Sequence, residues 1–272
     1  MSLRCVYTDL DGTMLGADAS LLRDAQGNFS LLAVRALEAC HRADVEVVIK
    51  SGRRRPQVAE DARLIGQRSY IYELGCGVVD GLEEELFVAP FASNADTSVH
   101  DQIESSGVVA LLFEHFPGSI EYHAPWHRNR QFTHLLRGSI DLAEAHDLMA
   151  QHGHTGVRLV DNGVTGRRSE SLDVDGLIHV YHLIPASAGK GNAISAHMTM
   201  RGYAPAECIA IGDSRGDVES ADAVGRFFLV ANGVERDPEI ASAIGGRDNV
   251  TITDEAMTAG FYEAVVRGLA EG

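Results

Sequence analysis

Acidic residues stand in two pairs, each directly after a short apolar run. Asp9 and Asp11 follow a run near the start of the chain, and Asp213 and Asp217 follow another near its end. Carboxylates that are brought together repel one another, and some take up protons unless a cation neutralises them. Oxygen ligands around a small crevice suit Mg²⁺, which keeps several waters and also engages a substrate phosphate. The two pairs therefore predict a magnesium site, provided that the fold brings them together.

Two further segments could supply the donors and positive charge that a metal-bound phosphate needs. Ser51 and Gly52 offer a hydroxyl and a backbone N–H, and Lys190 offers a point charge where a helix is expected to begin. An aspartate carboxylate can attack phosphorus and form an aspartyl-phosphate. A second aspartate two residues on, as Asp11 is from Asp9, can protonate the leaving oxygen and later deprotonate water. These residue types together predict phosphoryl-transfer chemistry.

Alternating strand and helix patterns must position these residues. In the first part, strands are expected at 4–8, 45–49 and 69–74, with a helix from Ser30 to His41 between the first two. Beyond Gly189 the pattern resumes with a helix at 192–200, strands at 208–211, 227–230 and 250–253, and a helix at 255–269. This order predicts an α/β fold with a doubly wound, parallel sheet. In such sheets the loops after parallel strands meet in one crevice, where ligands bind.

The segment between the two halves has a different pattern. A helix is expected at 141–152 and strands at 157–160 and 177–184, with Asp161-Asn162-Gly163 as a hairpin-type turn. We interpret this segment as an inserted α+β domain.

Composition and charge exclude several classes of protein. The 272 residues include 23 basic and 39 acidic side chains, for a net charge of −16, which argues against nucleic acid or an anionic membrane as partner. No apolar run approaches the roughly 18 residues that span a bilayer. The N-terminus lacks the apolar region of a signal peptide, and the four cysteines are scattered without a metal-ligand spacing. A reduced, cytoplasmic setting is the simplest expectation.

Four short motifs resemble those of the haloacid-dehalogenase-like phosphohydrolases, in the same order. They are DLDGT at 9–13, SGR at 51–53, AGKG at 188–191 and GDSRGD at 212–217. An insertion between the second and third motifs is that family's class II cap arrangement. The resemblance therefore implies a Rossmann-like catalytic core at 1–83 and 185–272, and a cap at 84–184 that selects the substrate. It is strongest to the Cof-type and sugar-phosphate phosphatase branch, which includes the sucrose-phosphate and mannosyl-3-phosphoglycerate phosphatases.

The resemblance also implies roles for individual residues. Asp9 is the expected nucleophile and a Mg²⁺ ligand, and Asp11 is the expected general acid and base, which binds the metal through its backbone carbonyl. Asp213 is expected to bind Mg²⁺, and Asp217 to support the metal site from nearby. The phosphate is expected to bind Ser51, Gly52 and Lys190.

Two positions depart from the family's pattern, and four residues are weaker candidates for substrate contacts. Gly216 stands where the branch usually has Asn, which puts one phosphate contact in doubt, and Leu74 also replaces the usual Asn of its motif. The candidate substrate residues are Arg53, Asn232, Trp126 and Arg128. For Trp126, packing within the cap is an equally good interpretation, and for Asn232 the alternative is turn chemistry.

The predicted activity is hydrolysis of a small phosphorylated metabolite, most simply a sugar phosphate or a phosphoglycerate-type ester. Two alternatives remain open from the sequence. A phosphomutase would return the phosphoryl group to a sugar instead of to water. A sugar-phosphate-binding module would bind the same ligand without turnover.

Overall fold

The computed structural model describes residues 2–93, 96–166 and 169–271. The chain forms two compact units, one from Met1–Glu85 with Gly189–Gly272 and the other from Leu86–Ala188. The function expected of the inserted segment, selection of the substrate, stays a prediction.

The strands and helices of the described chain are short. The strands are β1 (Cys5–Thr8), β2 (Glu46–Lys50), β3 (Ser69–Tyr72), β4 (Gly77–Asp80), β5 (Glu83–Leu86), β6 (Ile120–Tyr122), β7 (His134–Gly138), β8 (Val157–Thr165), β9 (Ile178–Pro185), β10 (Cys208–Gly212), β11 (Arg226–Leu229) and β12 (Val250–Ile252). The helices are α1 (Leu32–Arg42), α2 (Arg55–Leu64), α3 (Val99–Ser105), α4 (Val108–His115), α5 (Leu142–Gln151), α6 (Lys190–Arg201), α7 (Arg215–Val218), α8 (Ala231–Arg236), α9 (Ile240–Ile244) and α10 (Met257–Glu271).

The first unit is built on one large sheet with the strand order β12-β11-β10-β1-β2-β3-β4-β5. The strands from β12 to β3 run parallel, and β4 pairs with β3 in the antiparallel direction. Strands β1, β2 and β10 are apolar over most of their length and almost entirely buried, as strands covered on both faces must be. The predicted α/β fold class is confirmed, and β1 and β10, which carry the two acidic pairs, are neighbours.

The turn after β3 differs from the sequence-based expectation. The strand ends at Tyr72 instead of Leu74, and residues 73–75 form a tight turn in which Leu74 has a φ of 57°. Gly75 lies so close to the start of α6 that a Cβ there would be 2.2 Å from the carbonyl oxygen of Gly189. The tight turn thus fixes the backbone from which Lys190 projects.

The second unit has its own antiparallel sheet, with the order β6-β7-β9-β8. The predicted hairpin turn at 161–163 is wrong, because β8 continues through it to Thr165. The pairing of β8 with β9 is instead irregular between Asp161 and Val164, where the Asp161 carboxylate accepts a hydrogen bond from the Gly163 N–H at 2.9 Å. A local side-chain bond of this kind absorbs the turn-forming residues into a strand irregularity.

No helix among the described residues has the length and apolar character needed to cross a membrane. All four cysteines are buried.

Candidate active site

Three of the four predicted metal residues lie together at the ends of two neighbouring parallel strands. Asp9 follows β1, and its N–H donates to the Ile211 carbonyl oxygen of β10 at 3.0 Å. Asp213 follows β10, and Asp217 lies in the short helix α7 just beyond it. One carboxylate oxygen from each aspartate lies within 4.8 Å of the others. We refer to Asp9, Asp213 and Asp217 as the carboxylate cluster.

Two buried lysines contact this cluster. The Lys190 Nζ, at the start of α6, lies 2.8 Å from Asp9 Oδ1 and 2.6 Å from Asp217 Oδ1. The Lys50 Nζ, at the end of β2, lies 2.5 Å from the same Asp217 oxygen. Sequence reasoning singled out Lys190 but missed Lys50. The available signal was a lysine that ends an apolar strand and directly precedes Ser51.

Burial and neighbouring charges give the three carboxylates different pKa values. Burial raises the pKa of Asp9 to about 6, although Lys190 opposes the shift. Burial and the negative charges of Asp9 and Asp217 raise the pKa of Asp213 to about 8. At Asp217 the balance is reversed, because Lys190 and Lys50 overcome the effect of burial and hold its pKa well below the usual range. Asp217 is therefore the firmly ionised member of the carboxylate cluster.

Asp11 is placed differently from the other predicted catalytic residue. Its side chain is 53% exposed, and its carboxylate accepts bonds from Arg53 Nε and Nη2 at 2.8 and 2.6 Å. Arg53 also contacts Asp61 at 2.9 Å, and these two carboxylates raise the pKa of its guanidinium despite the opposing effect of burial. The structure thus brings Asp11 together with Arg53 and not with the carboxylate oxygens of the cluster.

The predicted phosphate-binding residues occupy the loop after β2 and the start of α6. Ser51 is buried, its N–H donates to the Ile71 carbonyl oxygen at 3.0 Å, and its hydroxyl accepts from the Arg53 N–H at 3.1 Å. Gly52 is buried beside it. Because β1, β2 and β10 are adjacent in the sheet, the Ser51 loop leaves the same edge as Asp9 and Asp213.

Glycine is required where the loops of the carboxylate cluster approach each other. A Cβ at Gly12, whose φ is +87°, would lie 2.3 Å from Asp213 Oδ2. A Cβ at Gly212 would lie equally close to the Asp217 Cβ. The neighbouring Thr13 hydroxyl donates to Asp213 Oδ1 at 3.2 Å. Close packing of the DLDGT loop on Asp213 therefore depends on residues without bulky side chains.

Asn232, a predicted substrate residue, uses both ends of its amide on the main chain. Its Nδ2 donates to the Gly12 carbonyl oxygen at 2.9 Å, and its Oδ1 accepts from the Met257 N–H at 2.7 Å. These contacts join the DLDGT loop to the start of α10. A contact between Asn232 and substrate stays a prediction.

The other two candidate substrate residues belong to the second unit. Trp126 and Arg128 lie in the turn after β6, where the Trp126 ring is 5.2 Å from the ring of His123 and Arg128 is exposed. Their contacts with substrate also stay predictions.

Part of the chain matches a known family. The family model described as haloacid dehalogenase-like hydrolase matches residues 175–250, a range that contains Lys190, Asp213 and Asp217. Over these residues the chain is similar to the haloacid dehalogenase-like hydrolases. The resemblance inferred from its motifs is therefore confirmed.

Proteins similar to this chain include several that are named as phosphatases. Phosphoglycolate phosphatase of Archaeoglobus fulgidus is 25% identical over 248 residues, which cover 89% of each chain. The solved structure of sucrose-phosphatase from Synechocystis has a TM-score of 0.62 at 15% identity, with 98% of each chain covered. That of a subclass IIB sugar phosphatase of the superfamily has a TM-score of 0.61 at 14% identity, with 97% of this chain and 98% of that chain covered. The predicted enzyme class, a phosphatase, is confirmed.

Proposed function

We propose that this hydrolase cleaves small phosphate monoesters with Mg²⁺ and through a phosphorylated Asp9. The observation that carries the proposal is the contact between Lys190 and Asp9 inside a cluster of three carboxylates. Three buried carboxylates alone would bind only a cation. The positive charge of Lys190 beside Asp9 also attracts an anion such as phosphate.

The residues present fit a hard divalent cation. The carboxylate cluster offers only oxygen donors, which suit Mg²⁺ and not the softer transition metals. Asp9 and Asp213 would hold the ion, and the backbone carbonyl of Asp11 stays a predicted ligand. When bound, Mg²⁺ would offset the negative charge of the site and polarise the phosphate oxygens.

Asp9 performs the first transfer in the proposed reaction. Its pKa of about 6 leaves it mostly ionised at neutral pH, as a nucleophile must be. As its free oxygen bonds to phosphorus, the ester P–O bond breaks and the leaving alcohol takes a proton from Asp11. Water then attacks the phosphorus of phospho-Asp9, gives its proton to Asp11 and releases inorganic phosphate. Lys190, Ser51 and Gly52 hold the transferring phosphoryl oxygens through charge and hydrogen bonds.

Arg53 sets the orientation of Asp11 before substrate binds. The fork of its guanidinium holds both oxygens of the carboxylate, which keeps the acid in one rotamer. For Asp11 to carry a proton to the leaving group, one oxygen must leave the guanidinium. We expect the incoming phosphate to attract Arg53 and so to release that oxygen.

The substrate class we propose is a small sugar phosphate or a phosphoglycerate-type ester. The support comes from the names of the relatives, which are a phosphoglycolate phosphatase, a sucrose-phosphatase and a sugar phosphatase. The residues described above recognise phosphate and cation, so the choice among such esters falls to the second unit.

The decisive test replaces Asp9 with asparagine and measures phosphate release. Asp9→Asn should abolish Mg²⁺-dependent hydrolysis of an aryl phosphate and of the best ester from a phosphorylated-metabolite library. The exposed aspartate variant Asp254→Asn is the matched control and should retain full activity. Retained turnover in pure Asp9→Asn would refute the nucleophile. Formation of a phosphate isomer without free phosphate would show a mutase, and binding without turnover in the wild type would show a binding module.

A further inference from the structure

Lys50 is an unusual residue for its place in the fold. It ends β2, whose other buried residues are Val47, Val48 and Ile49, and its side chain is fully buried. A buried ammonium is costly unless it is paired. Its partner is Asp217 Oδ1 at 2.5 Å, and its Nζ also lies 5.9 Å from the centre of the Phe227 ring. The buried ammonium of Lys50 is therefore stabilised by a carboxylate and by a nearby aromatic ring.

Asp217 receives hydrogen bonds from protein donors on both of its oxygens. Oδ1 accepts from Lys50 and Lys190, and Oδ2 accepts from the Ser214 N–H at 3.2 Å and the Ser214 hydroxyl at 2.6 Å. A metal ion could bind this carboxylate directly only by displacing one of these donors. Asp217 acts on the site through the two ammonium groups that it holds.

Lys190 is shared between two carboxylates, so its position depends on how strongly each attracts it. Its Nζ is 2.6 Å from Asp217 and 2.8 Å from Asp9. Lys50 already satisfies part of the charge on Asp217. Without Lys50, Asp217 would draw Lys190 away from Asp9.

Lys50 also changes the total charge of the site. When all three carboxylates are ionised and both lysines are charged, the groups leave one net negative charge, and a divalent cation makes that one net positive charge. Without Lys50 the cation-loaded site would be neutral. Charge differences count for more in a buried site than in water, because the local dielectric constant is low.

We propose that Lys50 is a positioning residue that keeps Lys190 on Asp9 and biases the site away from cations and towards phosphate. The part of this inference that concerns phosphate rests on the proposed function. The part that concerns cation affinity does not.

Two single variants change the net charge in opposite directions, and their combination restores it. Lys50→Met makes the site more negative, so it should bind Mg²⁺ about tenfold more tightly and inorganic phosphate about tenfold more weakly. Asp217→Asn should do the reverse. The double variant Lys50→Met/Asp217→Asn has the wild-type net charge and should fall between the two singles for both ligands.

Calorimetric titrations measure the affinity of each variant for Mg²⁺ alone and for inorganic phosphate at saturating Mg²⁺. Val48→Ala, a neutral change in the same buried strand, is the control, and it should lower stability without shifting either affinity. The proposal would be overturned if the Mg²⁺ and phosphate affinities of the variants only tracked their unfolding free energies. It would also be overturned if Lys50→Met bound both ligands as tightly as the wild type. If Lys50→Met alone does not fold, the comparison of Asp217→Asn with the double variant measures the same change. Failure of the proposed function would appear separately: the enzyme would show no turnover, while the variants would still rank as predicted in Mg²⁺ affinity.

Discussion

Replacing Asp213 with asparagine should stabilise the metal-free protein while it weakens the binding of Mg²⁺. The carboxyl lies beside Asp9 and Asp217, and burial together with their charges raises its pKa to about 8. Ionised Asp213 therefore opposes folding when no cation is present. Asparagine keeps an oxygen that can accept the bond from Thr13 but carries no charge.

The size of the effect follows from the two protonation equilibria. The carboxyl ionises at its usual value of 3.8 in the unfolded chain and at about 8 in the folded protein. Between these pH values the folded state binds more protons, so this group makes the protein less stable as pH rises, and the full cost is reached above pH 8. At 1.36 kcal/mol per unit, the cost is on the order of 6 kcal/mol as an upper limit and about half of that near pH 6. The partial exposure of Asp213 to solvent reduces it.

Urea unfolding in EDTA at about pH 6 and pH 8.5, repeated with Mg²⁺, measures the prediction. The gain in unfolding free energy for Asp213→Asn should be larger at the higher pH, and the stabilisation of the wild type by Mg²⁺ should increase in parallel. Asp254→Asn should show neither effect. If Asp213→Asn is less stable than wild type at pH 8.5 without metal, or if its Mg²⁺ response equals that of the wild type, the electrostatic reasoning is refuted.

Three further predictions concern residues around the site and in the second unit. Gly12→Ala adds a Cβ in a left-handed conformation 2.3 Å from an oxygen of Asp213, so it should lower the unfolding free energy by about 2 kcal/mol or more. The control Gly81→Ala, whose Cβ would meet open space, should lower the unfolding free energy by less. Arg53→Lys removes the fork on Asp11 and should lower kcat about tenfold with little change in unfolding free energy, which kinetics and denaturation measure together. Burial lowers the pKa of His134 to about 3, so the unfolded chain binds more protons below pH 6.5, and His134→Gln should weaken the loss of stability on acidification.

Asp9 and Asp213 could be located from the sequence because each follows an apolar run that forms a buried parallel strand. Asp9 and Asp213 ended up adjacent because β1 and β10 are neighbours, an arrangement that the alternating pattern and the four motifs together predict. The pairing of Lys190 with Asp9 agrees with the expectation that the loops after the strands meet.

The sequence shows Lys50 at the end of an apolar strand but does not show its partner. Its contact with Asp217 joins residues 167 positions apart, and no local pattern specifies which buried carboxylate meets which lysine. The hairpin assigned to 161–163 failed for a related reason. Asp, Asn and Gly are typical of turns, but the pairing of β8 with β9 prevailed over their local preference.

The order in which the chain is synthesised gives the contact between Lys190 and Asp9 a consequence for folding. Asp9 leaves the ribosome 181 residues before the lysine that neutralises it, and the whole second unit is made between them. Strand β1 likewise waits for β10 with one hydrogen-bonding edge open, which is the kind of edge that recruits other chains. A nascent chain that stops before α6 therefore carries Asp9, the proposed nucleophile, in an incomplete sheet. The candidate site and the sheet of the first unit both need residues beyond Gly189, so a prematurely terminated product lacks both.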